Sequence, residues 1–158
     1  LDQTVSQPYI VALMAEALQL GPYHRVLEIG TGSGYAAAVL AELAGEVYTT
    51  ERLGTLAALA ARQLAAAGYT DVHVRHADGT LGWPEYAPYD AISVAAASPN
   101  VPAELLQQLA PGGRLVIPIG GISEQQRLRR ITRLHDGALR QEDLGGVEFV
   151  PLVGGLGR

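Results

Sequence analysis

The chain reads as an α/β domain built on a mostly parallel sheet, and three observations predict it. Short apolar runs alternate with Ala/Leu-rich stretches of helical period, the pattern of strand–helix–strand units. One such run, Val26–Ile29, passes directly into Gly30-Thr31-Gly32-Ser33-Gly34 and then an alanine-rich segment, a strand-to-helix turn that lets a ligand approach the backbone. Late in the chain the alternation stops. Two strand-like stretches meet there at Asp136-Gly137 with no helix between them, a hairpin signal. The expected architecture is Rossmann-like and doubly wound, with about seven strands and an antiparallel C-terminal hairpin, in one domain over residues 1–158.

Each element follows from local pattern. Ile10, Leu13, Met14, Ala17 and Leu18 recur at helical spacing, so an amphipathic helix is expected over 7–20, closed by Gly21-Pro22. The first strand is expected at Arg25–Ile29 and a helix at 35–44. The second strand, Glu46–Thr50, ends at Glu51-Arg52, and helix 53–67 stops at Gly68. The third strand, Val72–His76, leads into Asp78-Gly79 and a loop through Trp83-Pro84. Asp90–Ala95 is the fourth strand, 102–109 a short helix and Arg114–Pro118 the fifth strand. The last two strands fall near 127–135 and 139–152.

Composition narrows the class. Hydrophobic residues make up 48% and charged ones 17%, which suits a packed domain rather than a disordered one. Cysteine is absent, so disulfides and thiolate metal sites are unavailable, and four scattered histidines lack ligand spacing; no metal is expected. No apolar run approaches the roughly 20 residues of a membrane span, and no signal-like segment is present; a cytoplasmic protein is expected. The net charge of −5 argues against a broad nucleic-acid surface. Arg127, Arg129, Arg130 and Arg133 form the one basic cluster and read as a solvated strand face.

The glycine loop carries the chemistry. Its G-x-G-x-G spacing is tighter than the G-x-G-x-x-G of dinucleotide binders. Glu28 stands where its charge would repel a pyrophosphate but hold an ammonium. A cationic nucleoside, S-adenosylmethionine, is therefore the expected ligand, held over Gly30, Gly32 and Gly34. Further acidic residues follow the next two strands, at the sheet end where open α/β sheets bind ligands. Glu51, beside Arg52, can accept both hydroxyls of a ribose. Asp78, beside Gly79, can accept from an adenine amino group.

At this point the chain resembles the protein-L-isoaspartate O-methyltransferase family across nearly its whole length. The matching stretches are QTVSQPYIVALM at 3–14, VLEIGTGSGY at 26–35, VYTTER at 47–52 and ADGTLGWPE at 77–85. To these add YDAISVAAA at 89–97, LAPGGRLVIPIG at 109–120 and VEFVPLVGG at 147–155. The T-[VI]-S-x-P segment, with D-G-x-x-G-W and F-V-P-L, is more specific than the glycine loop.

The resemblance implies methyl transfer from S-adenosylmethionine to the α-carboxylate of isoaspartyl residues in damaged proteins or peptides. S-adenosylhomocysteine is the implied product. It further implies that Ser6 is the active-site residue, with Gln3, Thr4 and Val5 lining the methionine end of the cofactor. Ser6 before Pro8 also suits a helix N-cap. A related carboxyl methyltransferase, or a cofactor-binding module completed by a partner, are the competing readings.

Three departures from the family pattern are visible. Gln3 is almost the first residue here, whereas the family carries a substantial helical segment before this motif. The expectation from that difference is weak isoaspartyl activity with a high KM, and an exposed apolar strip beside the 7–20 helix. Val153 stands where Thr often follows V-P-L, and Ala36 where a larger polar residue is common.

Overall fold

The central strand, β1 (Arg25–Ile29), is buried from Val26 to Ile29 because the sheet is covered on both faces. The structure is a computed structural model describing residues 7–121 and 124–154. From one edge the sheet runs β3 (Val72–His76), β2 (Glu46–Glu51), β1, β4 (Tyr89–Val94), β5 (Leu109–Ile119), β6 (Gln126–Arg133) and β7 (Leu139–Val147). Strands β1 to β5 are parallel, and β6 is antiparallel to both neighbours. The seven strands and the C-terminal hairpin agree with the periodicity. Strand order reverses at β1, which lies between β2 and β4, and a crevice opens beyond the strand ends there.

Three helices cover one face: α1 (Pro8–Leu18), α2 (Tyr35–Leu43) and α3 (Gly54–Ala66). Their Met14, Leu18, Leu40 and Leu64 pack with Val26, Val47, Ala91 and Val116 of the sheet. Each such side chain, fully buried, contributes about 1.5–3 kcal/mol. The other face has little helix. Leu27, Ile29, Ile92 and Ile117 lie beneath Trp83, Tyr89 and Leu105, the last from the five-residue α4 (Ala103–Gln107). Tyr48 of β2 stacks between His73 and Tyr86, with ring centroids 4.8 and 4.5 Å away.

Most boundaries shift by a residue or two, and three depart from expectation for a visible tertiary reason. The helix expected to Leu109 ends at Gln107, because Gln108 is diverted to the 79–89 loop. Its side chain accepts from Trp83 N–H at 2.9 Å and donates to the Leu81 carbonyl at 3.0 Å. Strand β5 starts at Leu109 rather than Arg114, its Pro111-Gly112-Gly113 stretch accommodated by a register shift against β4. Strand β7 stops at Val147, beyond a register shift beside Gly145, instead of continuing to 152. Gln126 then clamps Phe149 by donating to its carbonyl (3.0 Å) and accepting from its N–H (2.7 Å). The chain crosses back over the sheet end, where Ala97 N–H donates to the Val150 carbonyl and Leu152 N–H to the Ala97 carbonyl, at 2.8 and 2.7 Å.

The arginines expected to form one solvated strand face instead divide between both faces of β6, half-buried and paired, because the sheet is covered on each side. Arg127 and Arg129 meet Asp143, and Arg130 meets Glu142 at 2.8 Å across the hairpin. Arg130 also donates to the Ala17 carbonyl near the end of α1, and Arg133 to the Leu106 carbonyl of α4. On α1 the outward residues are Pro8, Tyr9, Ala12 and Glu16, so the apolar strip expected there is short and ends at a charge. Among the described residues no helix is long and apolar enough to cross a membrane.

Candidate active site

The loop after β1 turns because its three glycines adopt a backbone that other residues resist. Gly30, Gly32 and Gly34 have φ of +95°, +53° and +92°, a region costing L-residues about 1–2 kcal/mol. Strand β2 holds the loop down. The Thr50 carbonyl accepts from Gly30 and Thr31 N–H at 2.9 and 3.1 Å, and Glu51 Oε1 accepts from Gly32 N–H at 3.0 Å. The other carboxylate oxygen of Glu51 accepts from Leu53 N–H, also at 3.0 Å. Glu51 is thus locked at the rim by two backbone donors.

A cleft of about 270 Å³ opens over this loop. Gly30 to Ser33 line it, with Glu51 and Arg52 from the end of β2, Leu56, Leu59 and Gln63 from α3, and Gly79 from beyond β3. Ala95 and Ala96, beyond β4, line it as well, as do Val11 and the crossing segment with Val150, Pro151 and Val153. Charge in the lining comes from Glu51 and Arg52, and the rest is apolar or hydroxylic apart from the Gln63 amide.

The donor set suits a cationic nucleoside. Each Glu51 oxygen spends one lone pair on a backbone N–H and keeps another, which a vicinal diol can fill. A β-carbon on Gly32 would meet nothing within 4 Å, so the protein leaves the space above that backbone open. Gly79 comes so close to β1 and β2 that a β-carbon would overlap the Ile29 Cγ2 methyl.

The structure brings together Gly30, Gly32, Glu51, Arg52 and Gly79 of the residues singled out from sequence. Gly34 is not in the lining. It is the N-cap of α2, and a β-carbon there would press on Leu64 of α3 at 3.3 Å. Asp78 is also outside the lining; its Oδ1 accepts from Thr80 N–H (2.9 Å) and Oγ1 (2.7 Å), capping a short turn. Gln3, Thr4, Val5 and Ser6 lie outside the described residues. The N-cap position of α1 is Gln7. Sequence reasoning missed Ala95, Ala96, Val150 and Pro151 as wall residues. Their small or β-branched side chains carry no chemical signal, and only the chain crossing places them. Two of the three family departures, Ala36 and Val153, line the cleft.

Glu28 is the main correction. It was expected to touch a ligand ammonium directly, yet its side chain is 1% exposed and absent from the cleft lining. Strand alternation turns it toward the helical face, behind the loop, where Thr49 Oγ1 donates to its Oε1 at 2.7 Å. Burial, with a smaller contribution from the Glu51 charge, pushes its carboxyl up to about 8, against the lowering effect of the Thr49 hydrogen bond. Folding therefore favours its neutral form. This contribution to stability is fully present below the ordinary glutamate pKa of 4.5 and is lost as pH rises through about 8. Thermal melts of the wild type and of Glu28→Gln should diverge across this window. The variant should gain on the wild type by an amount on the order of a few kcal/mol by the alkaline end. Parallel pH profiles would show that Glu28 is not neutral in the empty protein.

The fold and the cleft over the glycine loop are those of the S-adenosylmethionine-dependent methyltransferase class, to which solved relatives of this chain belong. The family model described as protein-L-isoaspartate(D-aspartate) O-methyltransferase matches residues 1–157, and the chain belongs to that family. It is 63% identical over 152 residues to protein-L-isoaspartate O-methyltransferase 2 of Marinobacter nauticus, covering 96% of this chain and 69% of that protein. It is 59% identical over 156 residues to the protein-L-isoaspartate O-methyltransferase of Rhodopseudomonas palustris, covering 99% and 72%. A solved protein-L-isoaspartate O-methyltransferase superposes with a TM-score of 0.89 at 33% identity, over 97% of this chain but 49% of that one. A putative member from Plasmodium falciparum, in complex with S-adenosyl-L-homocysteine, gives 0.80 at 26% identity, over 97% and 77%. The chain thus spans about half the length of one solved relative and roughly seven-tenths of these two curated ones.

Proposed function

We propose that this chain transfers the methyl group of S-adenosylmethionine to the α-carboxylate of L-isoaspartyl residues in damaged proteins and peptides. The observation that carries the reading is the polarity of the cleft, with Glu51 beyond β2 on one side of the glycine loop and the uncharged Ala95, Ala96, Val150 and Pro151 on the β4 side, where Gly30 lies against Ala95. When bound, the cofactor supplies an electrophilic methyl on a sulfonium. The acceptor carboxylate is ionised at neutral pH and needs no general base. The residues therefore act by orientation and by keeping water out. Glu51 would hold the ribose, Gly30 and Gly32 would seat the amino-acid end, Gly79 and Arg52 would border the base, and the apolar end would dry the reacting groups. Ser6 would donate a hydrogen bond to the acceptor carboxylate, with Gln3, Thr4 and Val5 beside the methionine end. A cytoplasmic location, and peptide rather than nucleic-acid partners, complete the reading in keeping with the net charge of −5.

The test is methyl transfer to a short isoaspartyl peptide compared with its aspartyl twin. Transfer to the isoaspartyl peptide alone supports the proposal. Equal transfer to both points to a broader carboxyl methyltransferase, and cofactor binding without transfer to either points to a module lacking its acceptor site. Ser6→Ala and Ser6→Asn should each lower kcat/KM by roughly 10- to 150-fold, the value of a hydrogen bond to a charged group. Ser6→Asp should be worst, because its charge opposes the incoming carboxylate. Calorimetry should find cofactor affinity changed much less. Full turnover in Ser6→Asn would remove Ser6 from the reaction.

A further inference from the structure

One buried ionisable group is unused by this mechanism, and its surroundings suggest a purpose. Glu28 ends a chain of hydroxyls that begins in the cleft. Thr31, in the glycine loop and in the cleft lining, has its Oγ1 2.6 Å from Thr49 Oγ1. Thr49 Oγ1 lies 2.7 Å from Glu28 Oε1, and either hydroxyl can donate between Thr31 and Thr49, so an unbroken hydrogen-bonded chain links Thr31 through Thr49 to Glu28. The second oxygen, Oε2, is buried without a hydrogen-bond partner among the described residues. A threonine or glutamine could anchor the loop without the penalty of burying a carboxyl. A carboxyl here adds the capacity to become charged.

We propose that Glu28 is a positioning residue that is neutral in the empty protein and charged in the loaded one. The ammonium at the amino-acid end of the cofactor, seated over the loop, draws off its proton. The resulting carboxylate accepts more strongly from Thr49 and tightens the hydroxyl chain beneath Thr31. The O–H bond of Glu28 breaks, its proton passes to bulk solvent, and nothing is oxidised or reduced. This inference rests on the cofactor reading above.

The surroundings agree with it. On β2 the charged group acting on Glu28 is Glu51, which disfavours a second negative charge until a cation arrives. On the other side β4 presents Ser93, the register partner of Glu28. The helices on this face contribute Met14, Leu18, Ala37 and Leu40 to its core, none of them titratable. A cationic ligand is thus the natural source of compensating charge, and affinity for it should rise roughly 25- to 50-fold between about pH 6 and pH 8.

Calorimetry at about pH 7, in two buffers of different ionisation enthalpy, counts the protons released on binding. The probes are S-adenosylhomocysteine, which has the amino-acid end, and 5′-methylthioadenosine, which lacks it. Wild type should release close to one proton more with the first probe than with the second. Glu28→Gln should bind both and lose that difference, and it supplies the baseline for any proton change on the ligand's own amine. Binding with the same proton count in wild type and variant overturns the inference and leaves the cofactor reading intact. Failure of wild type to bind either probe overturns both. A wild-type measurement stands independently of the variant's folding. Carbon-13 NMR of glutamate carboxyls should show one resonance titrating near pH 8 when empty and moving well below that with S-adenosylhomocysteine. A resonance unmoved by the ligand sinks the idea.

Discussion

Glu51→Ala is expected to weaken S-adenosylmethionine binding by about 1.5–3 kcal/mol, or roughly 10- to 150-fold, the range for hydrogen bonds to a charged group. The loss has two sources. The ribose hydroxyls lose their acceptor, and the Gly32 and Leu53 N–H groups lose theirs. Because Gly32 belongs to the loop that seats the ligand, its release loosens the site even before ligand arrives. Affinity and the thermal midpoint of the empty protein should therefore fall together. Glu51→Gln separates the two sources. Its single carbonyl can keep one backbone N–H, while its NH₂ group faces the other N–H donor, so it should recover only part of either quantity. Titration calorimetry with a parallel melt decides the matter: unchanged affinity in a folded Ala variant takes Glu51 out of the site.

The second large effect is expected at Gly79. Gly79→Ala should destabilise the fold by about 1–3 kcal/mol, the usual range for forcing an extra methyl into a packed site, and should weaken cofactor binding as well. The new methyl would overlap Ile29 Cγ2 and lie 3.1 Å from Thr50 Oγ1, and both of those residues line the cleft. Ile29→Leu removes the offending branch, so the double variant should recover more stability than the separate effects predict, a coupling that a double-mutant cycle measures. Strictly additive energies would show that the close approach is not the cause. Gly32→Val provides the contrast. Its β-carbon meets no protein atom, so stability should fall only by the backbone strain, about 1–2 kcal/mol, while the side chain fills the cradle and abolishes binding.

Much of the molecule was legible from neighbouring residues alone. Strands Arg25–Ile29 and Val72–His76 fall at the boundaries that apolar run and turn residues indicate, and α1, α2 and α3 each differ from the expected span by three residues or fewer, both ends taken together. The hairpin at Asp136-Gly137 forms as read, with Gly137 at φ +90° and Asp136 Oδ1 accepting from Ala138 N–H. These features depend on interactions that span only a few residues, so local sequence suffices. Glu51 and the glycines of the loop belong to the same group, because strand ends and the switch in strand order bring them to one place in this architecture.

What local sequence could not decide was which face, and what lay opposite. Period-two alternation puts Glu28 on the opposite face from Leu27 and Ile29, but only the helices packed there make that face a dry interior behind the loop rather than a wall of the cleft. Gly34 looks like its two neighbouring glycines until Leu64, thirty residues away, is seen against it. The short α4 depends on Gln108 reaching Trp83, and the apolar end of the cleft on Gln126 turning the chain at Phe149. Sequence by itself therefore determined the elements, the fold class and the residues at the strand ends, since those follow from periodicity and backbone sterics. The tertiary structure alone decided the burial of Glu28, the pairing of the arginines and the crossing of Val150–Val153 over the sheet, because each arises from contacts between residues far apart in the chain, and no local pattern encodes them.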